Sequence, residues 1–271
     1  MPKPELKADD LEKKDEKPQE NAVLSNISVS AEKPGSGAAD SEIEAMFRAG
    51  VHFGYSRSRR HPKMKPYIFS LKNNVEILDL EKTRQKLREA EDFLRKLGQE
   101  RKKILLVGAK PSAAFLIEKV GRELGMPYSA KRWPGGLLTN FNVIRKRLDY
   151  LEDLKAKKSS GELAKYTKKE QLVFDEEINR LEEKFAGLVS LKKEPDALIF
   201  VDPGEEKTAV REARQLGIAS VGIANIDCDP NLVTYLIPAN DSAQSSIKYI
   251  LERLIKAYED GLQSIPPAGT E

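Results

Sequence analysis

Hydrophobic residues along this chain gather in short continuous runs that alternate with stretches of helical spacing. The runs are typical of buried strands: ILLVG (104–108), ALIFVD (197–202), IASVGIA (218–224) and TYLIP (234–238). Helical patterns follow three of the four runs, through Phe115, Val120 and Leu124, through Ala209, Ala213 and Leu216, and through Ile247, Leu251, Leu254 and Tyr258. The alternation predicts an α/β fold of Rossmann-like or flavodoxin-like type, with a mainly parallel sheet flanked by helices on both faces.

One segment breaks this alternation. Apolar residues recur every three or four positions in two arms that are separated by a Lys/Ser/Gly-rich stretch: Ile144, Leu148 and Leu151, then Phe174, Ile178, Leu181, Phe185 and Leu188. Thr167 and Glu170 spell a capping box at the start of the second arm. The pattern predicts a protruding antiparallel coiled-coil hairpin with arms of about 20 residues, or roughly 30 Å.

Shorter signals predict the remaining elements and the domain boundaries. We expect a helix from the capping box of Ser41 and Glu44, two strands within residues 67–80 that turn at Asn73 and Asn74, and a helix through Leu87 and Leu94 that ends at Gly98. The expected units are a disordered extension (1–40), an α/β domain (41–142 and 190–262), the coiled-coil hairpin (143–189) and a flexible tail (263–271).

Charge is unevenly distributed, although the net charge is only +3. Seven Lys or Arg and no acids lie between Glu44 and Glu76, and five Lys or Arg and no acids lie between Glu123 and Asp149. The sole cysteine, Cys228, rules out an internal disulfide and a Cys-based zinc finger. No apolar run reaches the roughly 18 residues of a membrane span, and no targeting segment is recognisable, so we expect a cytoplasmic protein without a membrane partner.

The strand-end loops carry weak signals for a nucleotide- or sugar-phosphate-dependent enzyme. LLVGAKPSAA offers one glycine where a dinucleotide site has three, and Pro111 removes an amide that could face a phosphate. DPGEEKT (202–208) resembles the end of a phosphate loop, but Glu206 stands where glycine is needed and would repel an anion. The enzyme therefore remains the alternative hypothesis, and no cofactor is predicted.

Metal chemistry is also weakly supported. A ligand set of His52, Asp227 and Cys228 is geometrically conceivable, but no spacing in the sequence favours it. His52 lies between Val51 and Phe53, which indicates a packed, hydrogen-bonded histidine, and Cys228 is expected to be a small buried hydrophobe. We therefore predict no metal site.

Both acid-free segments contain clustered cations, which are the groups that bind a polyanion. The first segment places five cations in a loop stiffened by Pro62 and Pro66: Arg57, Arg59, Arg60, Lys63 and Lys65. The second, KRWPGGLLTNFNVIRKR (131–147), places two cations before the only tryptophan and three in the first turns of the hairpin: Lys131, Arg132, Arg145, Lys146 and Arg147. Phosphate contacts need such charge without base-specific geometry. A nuclear localisation signal is the alternative for a basic run, but the interleaved aromatics and prolines disfavour it.

Four motifs now resemble a known family. HFGYSRSRRHPKMKPYIF with ILDLEKT, then RWPGGLLTNF, then KYTKKE, and finally NIDCDPNLVTYLIPANDSA follow in the order of the small-subunit ribosomal protein S-two family, in its bacterial form. The resemblance runs from about Glu42 to Asp260. Some positions depart from the usual pattern: Tyr55 stands where a second His is common, Arg60 and His61 replace Trp-Asn, and Pro134 and Leu137 alter the RW-x-GG-x-LTNF motif.

The resemblance implies a non-catalytic structural component of the small ribosomal subunit. Its implied partners are small-subunit rRNA and neighbouring ribosomal proteins, including the large mobile protein S-one where an organism has it. The ten cations of the two basic segments would bind rRNA, and a structural role is expected for His52, Phe53, Gly54, Trp133, Gly135, Gly136 and Asn140. A free regulatory RNA-binding protein remains a further alternative.

Overall fold

A computed structural model describes residues 37–264 of the chain. In chain order the strands are β1 (Phe53–Ser56), β2 (Ile68–Lys72), β3 (Val75–Leu78), β4 (Ile104–Val107), β5 (Tyr128–Ser129), β6 (Ala197–Val201), β7 (Ala219–Ala224) and β8 (Tyr235–Pro238). The helices are α1 (Gly37–Arg48), α2 (Leu80–Gln99), α3 (Pro111–Glu123), α4 (Phe141–Ser159), α5 (Lys168–Phe185), α6 (Lys207–Gln215) and α7 (Gln244–Gln263).

Five strands form one parallel sheet in the order β5-β4-β6-β7-β8. Alternate residues of its strands enter two different cores: Leu105 and Val107 of β4 pack on one face, and Ile104 and Leu106 pack on the other. Both faces are therefore covered, which explains why the strands read as continuous apolar runs. The predicted α/β fold with a mainly parallel sheet is confirmed.

A small antiparallel sheet, ordered β1-β3-β2, precedes the parallel one. Asn73 and Asn74 turn the chain between β2 and β3 with φ values of 49° and 63°, a left-handed geometry that asparagine tolerates. The predicted pair of strands with an asparagine turn is therefore confirmed. The five cations predicted at residues 57–65 lie between β1 and β2, and both of these strands pair with β3.

Helices α2 and α7 pack closely against each other, and two glycines set the distance between them. A Cβ on Gly98 would lie 2.2 Å from the carbonyl oxygen of Tyr258, and one on Gly261 would lie 2.2 Å from the carbonyl oxygen of Arg95. Gly98 was predicted to end α2, but the helix continues to Gln99. That prediction is wrong because this glycine is needed for close helix packing and not for a left-handed cap.

Helices α4 and α5 carry the apolar residues predicted for the hairpin. Buried side chains of both helices join the core that also contains Leu198 and Phe200 of β6. The capping box at Thr167 is confirmed, since its hydroxyl accepts from the amide of Glu170 while the Glu170 carboxylate accepts from the amide of Thr167. Two ion pairs connect the helices, Lys155–Glu182 at 2.6 Å and Lys158–Asp175 at 2.8 Å.

The ends of the described part differ from the predicted boundaries. Helix α1 begins at Gly37 and not at Ser41, so residues 37–40 of the predicted extension are helical. Most of the predicted extension (1–40) and of the predicted tail (263–271) lies outside the described residues. Among the described helices, none is long and apolar enough to cross a membrane.

Candidate nucleic-acid interface

The basic loop, residues 57–65, connects β1 to β2 through two short 3-10 turns. It is anchored at its centre, since Met64 is buried in the core and the amide of His61 donates to the carbonyl of Ile226 at 2.8 Å. Such anchoring lowers the entropy cost of presenting several cations together. The loop is therefore a supported surface feature and not a loose tether.

Three of the five cations in the basic loop are free of carboxylates among the described residues. Arg57 and Lys65 are exposed to solvent. The guanidinium of Arg59 lies over the ring of Tyr55, 4.9 Å from its centroid, which orients the side chain without neutralising its charge. These three cations remain available to an external anion.

The other two cations meet acids that come from elsewhere in the chain. Arg60 donates to the carboxylate of Glu76 at 2.8 Å, and Glu76 is almost completely buried. Lys63 pairs with Asp229 at 3.1 Å. Arg60 in particular satisfies a buried charge, so its first role in the fold is structural.

The second basic segment, residues 131–147, is organised around one buried carboxylate. The side chain of Glu212 on α6 accepts from the indole nitrogen of Trp133 at 3.1 Å and from the amides of Gly136 (2.8 Å), Leu138 (3.0 Å) and Thr139 (3.3 Å). Burial alone would raise the pKa of Glu212, but these donors outweigh it and hold the pKa below its ordinary value. Glu212 is thus an ionised carboxylate whose hydrogen bonds hold the loop from Trp133 to Thr139 in place.

Sequence reasoning missed Glu212. Its only signal was its position three residues after Ala209, on the apolar face of a helix, where a carboxylate requires partners. Gly136 has a φ of +83°, so a glycine is required at that turn. Within residues 37–264, no atom lies within 4 Å of the position that a Cβ on Gly135 would take.

The cations of the second segment also divide into two groups. Arg145 is held by Asp149 (2.6 Å), by Glu152 (2.9 Å) and by the carbonyls of Val189 and Leu191, so it fastens the base of α4. Among the carboxylates of the described residues, Lys131 contacts only that of Glu183, at 3.9 Å. The remaining three are exposed and have no carboxylate partner among the described residues: Arg132, Lys146 and Arg147.

The residues before the basic loop pack as structural elements. His52 is buried and stacks on Phe47, with ring centroids 4.3 Å apart, and burial lowers the pKa of its imidazole. The expected packing is confirmed, but Nδ1 of His52 has no hydrogen-bond partner among the described residues. A Cβ on Gly54 would lie 2.6 Å from the carbonyl oxygen of Glu76, so glycine permits β1 to approach β3. Phe53 is half-exposed beside this contact.

The carboxyl ends of the parallel strands are occupied by the protein's own charges. Nζ of Lys110 lies 2.9 Å from Asp202 and 3.0 Å from Asp241, and it donates to the hydroxyl of Tyr55 at 2.9 Å. Burial alone would lower the pKa of Lys110, but these partners raise it above its ordinary value. The lysine is therefore a charged link between the sheet and β1.

The phosphate-loop resemblance of DPGEEKT does not correspond to an anion site. The carboxylate of Glu206 accepts from the amide of Ala109 at 2.8 Å, so it takes the amide that a phosphate would need. Asp202 and Glu205 lie close enough to add to the increase that burial causes in the pKa of Glu206. Nothing in this geometry favours a nucleotide-dependent enzyme.

The conceivable metal set is not supported either. Cys228 is buried, and burial together with nearby carboxylates raises the pKa of its thiol to about 12, so the thiol is protonated at neutral pH. Its expected role as a small buried hydrophobe is confirmed. Across residues 37–264 no cluster of three His, Cys, Asp or Glu side chains is arranged to hold a metal ion.

The arrangement therefore combines an anchored cationic surface with strand ends whose amides and cations are already bound by carboxylates of the protein.

Similarity to known proteins is a second source of information on function. The chain is 42% identical over 216 residues to the small ribosomal subunit protein uS2c of Emiliania huxleyi, which covers 80% of this chain and 94% of the relative. It is 42% identical to the protein uS2 of Dictyoglomus thermophilum, over 81% of this chain and 89% of the relative.

The protein uS2 of Thermus thermophilus is also 42% identical, over 79% of this chain and 83% of the relative. A family model described as Ribosomal protein S2 matches residues 46–261. This range includes both basic segments, the parallel sheet and the two helices α4 and α5. The chain belongs to the ribosomal protein S2 family.

Proposed function

We propose that this chain is a structural component of the small ribosomal subunit, where it binds rRNA and neighbouring ribosomal proteins to support translation. The observation that carries the proposal is a set of six cations without carboxylate partners among the described residues, in a chain of the ribosomal protein S2 family: Arg57, Arg59, Lys65, Arg132, Lys146 and Arg147. The protein is bound to the ribosome, and it is not an enzyme.

The ten predicted cations contribute to rRNA binding in two ways. The six unpaired cations contact phosphates directly, since each can release a counterion on binding. Arg60, Lys63 and Arg145 hold the surface in shape through their ion pairs with Glu76, Asp229 and Asp149. Lys131, whose contact with Glu183 is long, can turn to a phosphate.

The hairpin and the domain division form part of the same proposal. Residues 143–189 project as an antiparallel coiled coil, while residues 41–142 and 190–262 form the α/β domain. Support comes from the apolar residues of α4 and α5 that share one core and from the two ion pairs that connect these helices. The base of this hairpin presents Lys146 and Arg147 to rRNA.

Protein neighbours are proposed to contact the small antiparallel sheet. Phe69 and Leu71 of β2 are 75% and 48% exposed, on a strand that lies at the edge of its sheet. Exposed apolar side chains on an edge strand suit a protein contact better than a phosphate contact. A neighbouring small-subunit protein would cover them, and protein S-one is the candidate that the family resemblance suggests.

Co-sedimentation tests the proposed function. The purified chain should travel with small ribosomal subunits through a low-salt gradient and should be released as the salt concentration rises, because its phosphate contacts are electrostatic. A chain that stays at the top of the gradient with protein-depleted subunits would refute the proposal. A cellular pool that is mainly free of ribosomes would favour a regulatory RNA-binding protein instead.

A further inference from the structure

A cavity of about 480 Å³ lies where the loop around Trp133 meets the start of α4 and the end of α5. Its apolar walls come from Trp133, Val143, Ile144 and Phe185. This volume is within the range of roughly 300 to 1,000 Å³ that small-molecule sites occupy. It is large enough to accept one flat ring system.

The charged groups that line this cavity are all positive. They are Arg132, Arg147 and Lys184, and no carboxylate of the described residues lines the cavity with them. None of the three has an ion-pair partner among residues 37–264. The neighbouring cavities differ, since one contains Glu205 and Glu206 and another contains several glutamates of α3 and α5.

The side chain of Asn140 and the backbone of Gly135 complete the lining. Asn140 occupies the N-cap position of α4, yet its side chain makes no capping hydrogen bond, so both its amide donor and its acceptor remain available. Gly135 is exposed, and no atom of the described part of the chain lies within 4 Å of the position that its Cβ would take. The cavity therefore combines apolar walls, an amide and three cations.

We propose that this cavity binds one unstacked nucleotide of single-stranded rRNA. The base lies against the apolar walls, the amide of Asn140 meets its edge, and the three cations hold the flanking phosphates. Splayed bases that stack on protein side chains and meet hydrogen-bonding groups are the usual targets of RNA recognition outside helices. The inference rests on the proposed function and deepens it, because it specifies a single-stranded site within the rRNA contact.

An acidic peptide fits the same cavity less well. Its carboxylates would satisfy the three cations, but they would leave the apolar walls without a matching group. A nucleotide uses both parts of the lining together. Charge and shape therefore favour RNA.

Fluorescence of Trp133 reports directly on this cavity, because Trp133 is the only tryptophan of the chain. A short single-stranded oligoribonucleotide should quench its emission in a saturable manner. A strand of the same length and charge without bases should bind more weakly by a factor of about ten or more, since it lacks the stacked base, and should leave the emission unchanged. Equal quenching by both strands would overturn the proposal.

Matched variants separate the cavity from general charge. Arg147→Ala with Lys184→Ala removes two cavity cations, and Lys157→Ala with Lys169→Ala removes two exposed cations elsewhere on the same helices. Only the first pair should abolish quenching. It should also lower the slope of log affinity against log salt by roughly 1.4, the value for two contacts with a single strand. Equal effects of the two pairs would count against the cavity.

The remaining outcomes are also decisive. If an acidic peptide of equal charge quenches Trp133 and the oligoribonucleotide does not, the cavity is a peptide site and the proposal is wrong. A chain that co-sediments with small subunits but shows no quenching by RNA loses the cavity and keeps the proposed function. Failure to co-sediment refutes the proposed function itself.

Discussion

The hydroxyl of Tyr55 donates a hydrogen bond of 2.9 Å to Oδ1 of Asp241, a residue 186 positions further along the chain. The same hydroxyl accepts from Lys110, and the ring of Tyr55 lies beneath the guanidinium of Arg59. One side chain therefore joins the end of the parallel sheet to the basic loop. The phenol supplies both the hydroxyl for Asp241 and the ring for Arg59.

Replacement of Tyr55 by Phe should separate these two roles. The variant removes the hydroxyl while the ring under Arg59 remains, so the free energy of unfolding should fall by about 1 to 2 kcal/mol as buried Asp241 loses a donor. Urea denaturation measures this change. Tyr150→Phe is the matched control, since Tyr150 is half-exposed and should tolerate the change. Equal stability of both variants would show that the Tyr55 hydroxyl does not anchor the loop.

The salt dependence of rRNA binding should distinguish free cations from paired cations in the basic loop. Simultaneous replacement of Arg57, Arg59 and Lys65 by Ala should reduce the slope of log affinity against log salt by roughly 2 to 3, because three phosphate contacts are lost. Binding of small-subunit rRNA at several salt concentrations measures the slope. An unchanged slope would exclude this loop as a phosphate-binding surface.

Arg60 should behave differently from its neighbours. Its replacement by Ala leaves Glu76 buried without its cation, so the main effect should be a loss of about 3 kcal/mol or more in the free energy of unfolding. Thermal unfolding and the salt slope should be measured on the same sample. A variant with wild-type stability and a reduced slope would mean that Arg60 is a phosphate contact and not a structural ion pair.

The different roles of these arginines show which features of the site the sequence could predict and which it could not. Acid-free segments predicted both surfaces, but a linear charge pattern does not contain tertiary partners. Glu76 is 16 positions from Arg60, Asp229 is 166 positions from Lys63, and Glu212 is 79 positions from Trp133. The strands were predictable because burial on both faces produces continuous apolar runs, which is a local property of the sequence.

Gly98 illustrates the same limit within the fold. A glycine near the end of a helical pattern predicts a cap, but a glycine at a close helix contact has an identical local pattern. Only the contact with the backbone of α7 separates the two interpretations, and that contact is distant in sequence. The capping box at Thr167 was predictable because both of its partners lie within one helical turn.

Gly98→Ala should therefore destabilise the protein, although alanine has the higher helix propensity. The new methyl group would overlap the carbonyl oxygen of Tyr258, and the required separation of α2 from α7 should cost about 2 to 3 kcal/mol. Gly135→Ala is the control, since nothing lies near its Cβ position, and it should change stability by no more than about 0.5 kcal/mol. A more stable Gly98→Ala protein would show that the packing of α2 against α7 does not require a glycine at this position.

Glu212 should make the loop around Trp133 sensitive to acid. Its hydrogen bonds with backbone donors hold its folded-state pKa below the ordinary value of 4.5, so the folded protein binds this proton less readily than the unfolded chain does. The stabilisation is therefore present above the ordinary pKa and is lost as the pH falls through the lower folded-state pKa. Glu212→Gln should unfold more easily by about 1 to 3 kcal/mol at neutral pH, because several amides lose their charged acceptor.

The difference in unfolding free energy between wild type and Glu212→Gln should shrink as the pH falls below about 4.5, since the wild-type carboxylate then becomes neutral as well. Chemical denaturation across that pH range measures the difference, and Trp133 emission follows the loop directly because its indole donates to Glu212. Glu205→Gln is the control at an exposed position just before α6, and its stability should remain parallel to wild type. If the stability of Glu212→Gln also remained parallel to wild type across this pH range, the ionised carboxylate of Glu212 would not be what holds the loop. The shape of the neighbouring cavity would then need another cause.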